Sequence, residues 1–201
     1  MGYIAVIDYS AGNIMSVTNT LGFLGYDYKV ASKAEDIDRA ERIILPGVGA
    51  FPPAMAVLRE KGLDELICRQ SEKKPLLGIC LGMQMLFDVS NEISDCEGLG
   101  LISGHVRKIE TDLKLPHIGW NSLDMVNPCE ILEGIDAGSH MYFVHGFCAV
   151  VSDRKNLNAC ADYGEQVAAV VSRENIFGCQ FHPEKSGDIG LKIIKNFCEV
   201  R

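Results

Sequence analysis

Short runs of hydrophobic residues alternate with stretches of helical spacing in the first half of the chain. The runs predict four buried strands, at residues 3–7, 28–31, 42–45 and 75–79. The stretches between them place apolar residues at helical intervals and predict helices at 13–24, 53–71 (with a break near Gly62) and 81–87. Strands that alternate with helices indicate a parallel sheet that is covered on both faces.

The second half changes character, because apolar and alternating segments there are joined by short turns. They predict strands at residues 106–109, 141–151, 157–161, 166–172 and 176–181, followed by a closing helix at 189–197. The expected fold is α/β and doubly wound. It has three layers, with a mostly parallel central sheet, helices on both faces and antiparallel additions. No linker or repeat divides the chain, so we expect one domain over residues 1–201.

Composition removes several classes of function. The chain has 201 residues and a formal net charge of −8, without a cluster of Lys and Arg. A nucleic acid is therefore not an expected ligand, since binding to the phosphate backbone needs a basic face. No apolar run approaches the roughly 20 residues that span a bilayer, and Asp8 interrupts the start of the chain. We expect a cytoplasmic protein that does not contact a membrane.

The eight cysteines do not form a metal or dithiol motif, because no two lie closer than twelve residues: Cys68, Cys80, Cys96, Cys129, Cys148, Cys160, Cys179 and Cys198. Seven of them are interpreted as small hydrophobic residues in a reducing compartment. No metal site is predicted.

Cys80 differs from the others because it lies in Gly-Ile-Cys-Leu-Gly, at a predicted junction of strand and helix. The G-x-C-x-G spacing is typical of a nucleophile elbow with Cys in place of Ser. Gly78 and Gly82 would let neighbouring backbone pass close to the sharp turn. A helix that begins at Leu81 would direct its amides at the sulfur and favour the thiolate. The competing interpretation, a buried Cys at a strand end bounded by glycines, fits Cys80 equally well.

His182, Pro183 and Glu184 follow the last predicted strand. Pro183 restricts His182 to an extended conformation, and alternation along extended chain would place residues 182 and 184 on one side. Glu184 could then orient the imidazole, as in a catalytic triad. A His-Pro turn with a solvated Glu is the common alternative. A zinc deaminase also carries H-x-E, but its downstream P-C-x-x-C is absent.

The segment Pro46-Gly47-Val48-Gly49 follows the third predicted strand. Its glycines could expose backbone N–H groups to an oxyanion. The alternative is a flexible loop that leads into a helix, because the segment matches neither a P-loop nor G-x-G-x-x-G.

Together these segments resemble the class I glutamine amidotransferases, in which a Cys is followed much later by His and Glu two positions apart. The resemblance implies glutamine as the substrate, Cys80 as the nucleophile, His182 as the base and Glu184 as its orienting partner. It assigns the oxyanion hole to Gly47, Val48, Gly49 and Leu81, and substrate binding to Gln84, His145, Gly146 and Phe147. No metal ion or organic cofactor is implied.

Further segments resemble one branch of that family, whose glutaminase supplies ammonia to a separate cyclase subunit that is a TIM barrel. These segments are residues 8–13, 116–121 and 142–145. The resemblance places Asn13, Trp120 and Asn121 at the contact with the cyclase, although a lone Trp is more often a core residue. The branch usually continues Tyr-Phe-Val-His with Ser-Tyr, whereas this chain has Gly146-Phe147.

Three other functions remain open from the sequence. One is a glutaminase that serves pyridoxal phosphate, anthranilate or guanylate synthesis. Another is a non-catalytic regulatory subunit with the same fold, which the complete set of Cys80, His182 and Glu184 argues against. The third is a cysteine peptidase of related architecture.

Overall fold

The computed structural model describes residues 2–10 and 13–200. Within that part of the chain, the first half contains four strands and five helices. The strands are β1 (Ile4–Ile7), β2 (Tyr28–Ala31), β3 (Arg42–Gly47) and β4 (Leu76–Cys80). The helices are α1 (Ile14–Phe23), α2 (Ala34–Asp38), α3 (Phe51–Glu60), α4 (Leu63–Ser71) and α5 (Leu81–Gln84).

The second half is mostly strand and ends in a helix. Its strands are β5 (Phe87–Ser90), β6 (Cys96–Glu97), β7 (Ile102–Lys108), β8 (His117–Ser122), β9 (Asp124–Met125), β10 (His140–His145), β11 (Phe147–Val151), β12 (Leu157–Asp162), β13 (Gln166–Arg173) and β14 (Ile176–Cys179). The closing helix is α6 (Gly187–Glu199), and a single 3₁₀ turn at Pro183–Lys185 precedes it.

The central sheet has eight strands in the order β2-β1-β3-β4-β14-β13-β12-β9. The pairings from β2 to β14 are parallel, and those of β13, β12 and β9 are antiparallel. Two smaller sheets accompany it, one with the order β11-β7-β5-β6 and one that pairs β10 with β8. The expected α/β architecture, with a mostly parallel sheet and antiparallel additions, is confirmed.

The core has two large parts, one on each face of the sheet, and a small third cluster of Ile109, Cys148 and Val167. Ala5 and Ile7 of β1 belong to the part that contains residues of α2, α3 and α4. Ile4 and Val6 belong to the part that contains residues of α1 and α6. Successive side chains of a strand point to opposite faces, so strands covered on both faces are apolar throughout. The continuous apolar runs in the sequence have this cause.

The helix predicted at 81–87 is wrong in length, since α5 ends at Gln84 and β5 begins at Phe87. The carbonyl of Met85 accepts a hydrogen bond from the Leu99 amide, and that of Leu86 accepts from the amides at 101 and 102. Pairing with a distant segment thus replaces the next helical turn.

Other boundaries also depend on long-range pairing. The run predicted at 141–151 is two strands divided at Gly146. Helix α2 and the strands β5, β6, β8 and β9 were not predicted. Among the described residues, no helix combines the length and the apolar character that a bilayer crossing requires.

Candidate active site

Three adjacent strands of the parallel sheet end at the predicted site. Strand β4 lies between β3 and β14, and all three run in the same direction. Gly47 is the register partner of Cys80, and Cys179 is that of Ile79. Because the carboxyl ends of parallel strands meet at one edge, residues 47–49, 80–81 and 180–184 come together there. Segments more than a hundred positions apart therefore form one site.

Cys80 has the backbone of a nucleophile elbow. Its φ of 55° and ψ of −110° lie in a region that side-chain-bearing residues rarely adopt. A Cβ at Gly78 would meet the Gly82 carbonyl oxygen at 2.6 Å, and a Cβ at Gly82 would overlap the carbonyl of Leu45. Both glycines are required by close backbone contacts, as predicted.

His182 and Glu184 form a buried pair. His182 Nδ1 lies 2.8 Å from Glu184 Oε1, and their side chains are 2% and 0% exposed. The His182 amide donates to the Tyr142 carbonyl at 2.9 Å, and the Ser186 hydroxyl donates to the His182 carbonyl at 2.7 Å. These bonds hold the backbone that carries the imidazole.

The route by which Glu184 reaches His182 differs from the prediction. His182 is extended as expected, but Pro183–Lys185 forms a 3₁₀ turn. Alternation along an extended chain is therefore the wrong reason for the contact. Pro183 favours the first position of the turn because its φ is already helical and its missing N–H would be unpaired there.

The second nitrogen of His182 is available to the nucleophile. Nε2 is buried and has no hydrogen-bond partner within residues 2–10 and 13–200. Burial lowers the pKa of His182, but Cys80 and then Glu184 outweigh it and raise that pKa to about 9. An imidazolium beside the sulfur is thus favoured at neutral pH, which is the state that stabilises a thiolate.

Replacing Glu184 by Gln should move the alkaline limb of the pH–activity profile toward lower pH. The carboxylate stabilises the imidazolium, so its loss lowers the pKa of His182 from about 9. We expect a shift of about one pH unit and a reduced kcat, measured as ammonia release from glutamine between pH 6 and 10. Glu130→Gln, at a carboxylate that does not line the cavity above Cys80, is the control. An unchanged alkaline limb would show that Glu184 does not tune His182.

Asn13 lies against the triad. Its amide nitrogen donates to Glu184 Oε1 at 3.2 Å, and its amide oxygen accepts from the Ser16 hydroxyl at 2.8 Å. The sequence placed Asn13 at the partner contact, and that role stays a prediction. Its N-terminal neighbours Ala11 and Gly12, part of the segment at residues 8–13, lie outside the described residues.

A cavity of about 210 Å³ opens above Cys80. Its lining contains most of the predicted catalytic, oxyanion and substrate residues: Val48, Gly49, Cys80, Leu81, Gln84, His145, Gly146, Phe147 and His182, together with Val144 and Glu92. A larger hollow of about 730 Å³ is lined by residues between Met125 and Ile135 and includes none of the predicted site residues. The smaller cavity is the candidate active site, because it alone of the two contains a nucleophile with an adjacent base.

The predicted oxyanion segment divides into a packed residue and two residues at the cavity. Gly47 packs tightly, since a Cβ there would lie 2.7 Å from the Tyr9 hydroxyl and 2.8 Å from the Gly82 amide. Val48 is 42% exposed. Gly49 has a φ of 103°, and a Cβ added to it would have no neighbour within 4 Å among the described residues. This φ favours glycine and leaves the adjacent peptide groups room to reorient.

Two polar residues at the site were missed. Gln180 is fully buried, and its Nε2 lies 3.8 Å from the Cys80 sulfur. A polar residue inside an otherwise apolar strand was the signal that could have found it. Glu92 lines the cavity, and its Oε2 accepts from the Phe51 amide at 2.6 Å. No local pattern marks Glu92, because β5 and its following turn were not predicted.

Gln84 and His145 are held by the protein itself. Gln84 Nε2 donates to the Phe147 carbonyl and to Gln180 Oε1, both at 3.0 Å. His145 Nδ1 lies 2.8 Å from the same carbonyl, and its Nε2 lies 3.1 Å from Nδ1 of His117. Burial lowers the pKa of His145 to about 4, so this ring is neutral at neutral pH. Both side chains form a fixed wall of the cavity.

Trp120 is 56% exposed and is not a core residue. Its ring lies edge-on to that of Tyr142, with centroids 6.1 Å apart, and Tyr142 supplies the carbonyl that anchors His182. Asn121 donates to the Asp162 carbonyl at 2.7 Å. The partner contact predicted for Trp120 and Asn121 stays a prediction.

Comparison with known proteins defines the class. Residues 5–200 match the family described as glutamine amidotransferase class-I, and the chain belongs to that family. The resemblance predicted from the sequence is confirmed.

Two similar relatives have the same name. The chain is 48% identical over 198 residues to the imidazole glycerol phosphate synthase subunit HisH of Bacillus cereus strain B4264, covering 96% of this chain and 93% of the relative. It is 47% identical to the subunit of that name from Bacillus anthracis strain CDC 684, with coverage of 96% and 93%.

Solved structures support the fold. PurLQS from Thermotoga maritima superposes with a TM-score of 0.77 at 24% identity, covering 98% of each chain. A putative GMP synthase protein from Thermoplasma acidophilum superposes with a TM-score of 0.74 at 21% identity, covering 98% of this chain and 92% of the other.

Proposed function

We propose that this chain is the glutaminase subunit of imidazole glycerol phosphate synthase. It hydrolyses glutamine to glutamate and ammonia, and the ammonia passes to a cyclase subunit. The cyclase makes imidazole glycerol phosphate and aminoimidazole carboxamide ribotide in histidine biosynthesis. The observation that carries this proposal is the strained Cys80 at a strand end beside the buried His182–Glu184 pair, in a chain 48% identical to subunits with that name.

The chemistry needs only the side chains of the cavity and the backbone around them. The Cys80 thiolate attacks the side-chain carbonyl carbon of glutamine and forms a tetrahedral intermediate. Backbone N–H groups of Val48, Gly49 and Leu81, which line the cavity, stabilise its oxyanion, and loss of one such donor typically costs about 3 kcal/mol in barrier. The His182 imidazolium protonates the leaving nitrogen, and the C–N bond breaks to release ammonia. His182 then deprotonates a water that cleaves the thioester and releases glutamate.

The cavity suits a free amino acid better than a peptide. Its volume of about 210 Å³ is below the roughly 300 Å³ at which sites for drug-sized ligands begin. The Glu92 carboxylate on its wall would attract the α-ammonium group of glutamine. A peptidase site would instead need an extended groove for residues on either side of the scissile bond. These features favour glutamine over the peptidase alternative.

Gly146→Ser should improve glutamine binding. The serine hydroxyl would restore a hydrogen-bonding group that the family carries at the cavity wall. A Cβ at Gly146 meets only the Pro116 Cβ, at 3.9 Å, among the described residues, so the side chain fits. We expect KM for glutamine to fall several-fold, by about 1 kcal/mol of binding energy, with little change in kcat.

Gly146→Ala is the matched control for that change, since it adds the Cβ without the hydroxyl. If both variants lower KM equally, contact area and not hydrogen bonding is responsible. If neither changes KM, residue 146 does not contact the substrate.

A separate protein is the proposed acceptor of ammonia, because free ammonia is mostly protonated and not nucleophilic at neutral pH. Large apolar side chains are exposed beside the site: Trp120 at 56%, Ile118 at 59% and Met15 at 74%. Ile118 and Trp120 lie on β8, and Met15 lies two residues after Asn13, which contacts Glu184. Apolar groups of this kind are typical of a protein interface. We place the TIM-barrel cyclase on this surface.

The test is ammonia release from glutamine, measured for the chain alone and with the cyclase plus its nucleotide ligand. We expect slow hydrolysis alone and a large increase in the complex, because the peptides at Val48 and Gly49 would reorient on assembly. Equal rates with and without the partner would exclude that activation. Ammonia transfer to a pyridoxal phosphate, anthranilate or guanylate synthase instead of the cyclase would replace the proposed pathway. No hydrolysis under any condition would favour a regulatory subunit.

A further inference from the structure

A continuous hydrogen-bonded chain of buried side chains leads to the nucleophile, and no step of the proposed mechanism uses it. Gln180 Nε2 lies 3.8 Å from the Cys80 sulfur, and Gln180 Oε1 accepts from Gln84 Nε2 at 3.0 Å. Gln84 Nε2 also donates to the Phe147 carbonyl at 3.0 Å. Gln180 is fully buried, and Gln84 is 5% exposed. Buried amides of this kind cost stability unless every group finds a partner.

The Phe147 carbonyl fixes the donor-to-acceptor direction of these side-chain hydrogen bonds. A carbonyl oxygen only accepts, so Gln84 must turn its Nε2 toward it. The same nitrogen then donates to Gln180, which must present Oε1 to Gln84. The remaining group of the Gln180 amide, its Nε2, therefore points at Cys80. The Phe147 carbonyl therefore determines which end of the Gln180 amide is the nitrogen and which is the oxygen, an assignment that is otherwise ambiguous.

His145 supports the same carbonyl from its other side. Its Nδ1 lies 2.8 Å from the Phe147 oxygen and must donate to it, so Nε2 accepts from His117 Nδ1 at 3.1 Å. His117 Nε2 then accepts from the Asn121 amide nitrogen at 3.4 Å. Burial lowers the pKa of both histidines, which agrees with two neutral rings that each donate once and accept once.

We propose that Gln180 acts directly on the nucleophile, by donating an N–H hydrogen bond that stabilises the Cys80 thiolate, with its amide held in that orientation by Gln84 and the Phe147 carbonyl. This role adds a residue to the proposed function. It rests on one part of that function, namely that Cys80 is the nucleophile. A donor to a charged acceptor makes a stronger hydrogen bond than a donor to a neutral one. Gln180 therefore favours the thiolate over the thiol.

Other groups also face Cys80. His182 and, behind it, Glu184 act from the turn after β14. The Tyr9 hydroxyl, after β1, is buried without a partner in the described part of the chain. His145 and Glu92 contribute from the cavity wall.

The thiol form has its own acceptor. The Val144 carbonyl lies 4.0 Å from the Cys80 sulfur and can accept a hydrogen bond from the thiol. The protonation state of Cys80 therefore depends on a competition between this carbonyl and the donors at His182 and Gln180.

The experiment measures the rate of Cys80 alkylation by iodoacetamide from pH 5 to 10. Tandem mass spectrometry assigns the alkylated sulfur within each peptide and so separates Cys80 from Cys96 and the other six cysteines. Gln180→Leu removes the donor, and we expect the midpoint of the alkylation profile to rise by about one pH unit. With glutamine, kcat should fall while KM changes little, because Gln180 does not line the cavity.

Gln70→Leu is the matched control. Gln70 is also a buried glutamine, 7% exposed, but its amide donates to Asp38 Oδ1. This variant should lower the melting temperature without moving the alkylation midpoint. If Gln180→Leu does not fold, Gln180→Glu keeps the shape of the side chain, loses the donor when ionised and should raise the midpoint at least as much.

An unchanged midpoint in a folded Gln180 variant would overturn the proposal. So would a shift caused by Tyr9→Phe but not by Gln180→Leu, since the donor would then be the phenol. The alkylation assay uses no glutamine. A failure of the glutaminase assignment would therefore appear only in ammonia release, and a failure of the Gln180 role only in the alkylation profile.

Discussion

Cys80→Ala is expected to lower ammonia release from glutamine by at least about 10⁴-fold, because the covalent intermediate cannot form. The backbone of the site does not depend on the sulfur, whose hydrogen bonds with Gln180 and the Val144 carbonyl are long, at 3.8 and 4.0 Å. We therefore expect normal binding to the cyclase and a normal circular dichroism spectrum. Activity of the variant above a hundredth of the native rate would show that Cys80 is not the nucleophile.

Cys80→Gly provides a second measurement at the same position. Residue 80 has a φ of 55°, which costs any residue with a Cβ about 1 to 3 kcal/mol. The glycine variant should be as inactive as the alanine variant but more stable than it, by about 1 kcal/mol in urea unfolding. The difference would measure the strain that the site retains for reactivity. Equal stabilities would show that the elbow is not strained.

Gly82→Ala is expected to have the largest effect on stability. A Cβ at residue 82 would overlap the Leu45 carbonyl, which belongs to the backbone of the neighbouring strand β3 and cannot rotate away. Relief requires β3 and α5 to separate, so we expect the free energy of unfolding to fall by about 3 kcal/mol or more. Activity should fall as well, because Gly47 at the end of β3 packs against the same turn.

Gly22→Ala is the control for that substitution. Gly22 lies within α1, and an added Cβ would meet only Tyr28 Cε1, at 3.6 Å, among the described residues. Alanine is a better helix former than glycine, so this variant should gain about 0.5 to 1 kcal/mol. If Gly82→Ala were no more destabilising than Gly22→Ala, the close packing of the elbow against β3 would be incorrect.

The parallel part of the sheet could be predicted because the pattern that specifies each strand lies within that strand. Strands buried on both faces need continuous apolar runs, and β1, β3 and β4 have them. The predictions fail where hydrogen bonding to a distant segment determines the secondary structure. The segment at 85–87 has helical composition, yet its carbonyls pair with residues 99–102, and no pattern within the segment encodes that pairing.

The candidate site shows the same division. Cys80, Gly78 and Gly82 could be identified because an elbow requires particular residues at fixed spacing. His182 and Glu184 were paired correctly but for a partly wrong reason, since the 3₁₀ turn brings them together. Gln180 and Glu92 were missed because each acts through a contact with a segment far along the chain.

The sequence by itself determined the class of chemistry and the layered fold. Apolar periodicity and glycine spacing act over short distances, and the order of Cys, His and Glu is visible along the chain without any knowledge of how they meet. Tertiary structure alone decided how the site is assembled. Neighbouring parallel strands place residues 47–49, 80 and 180–184 at one edge of the sheet. It also decided that the Phe147 carbonyl sets the direction of each hydrogen bond leading to Cys80. Hydrogen-bond direction depends on which atoms meet in space, and a linear order of residues does not contain that information.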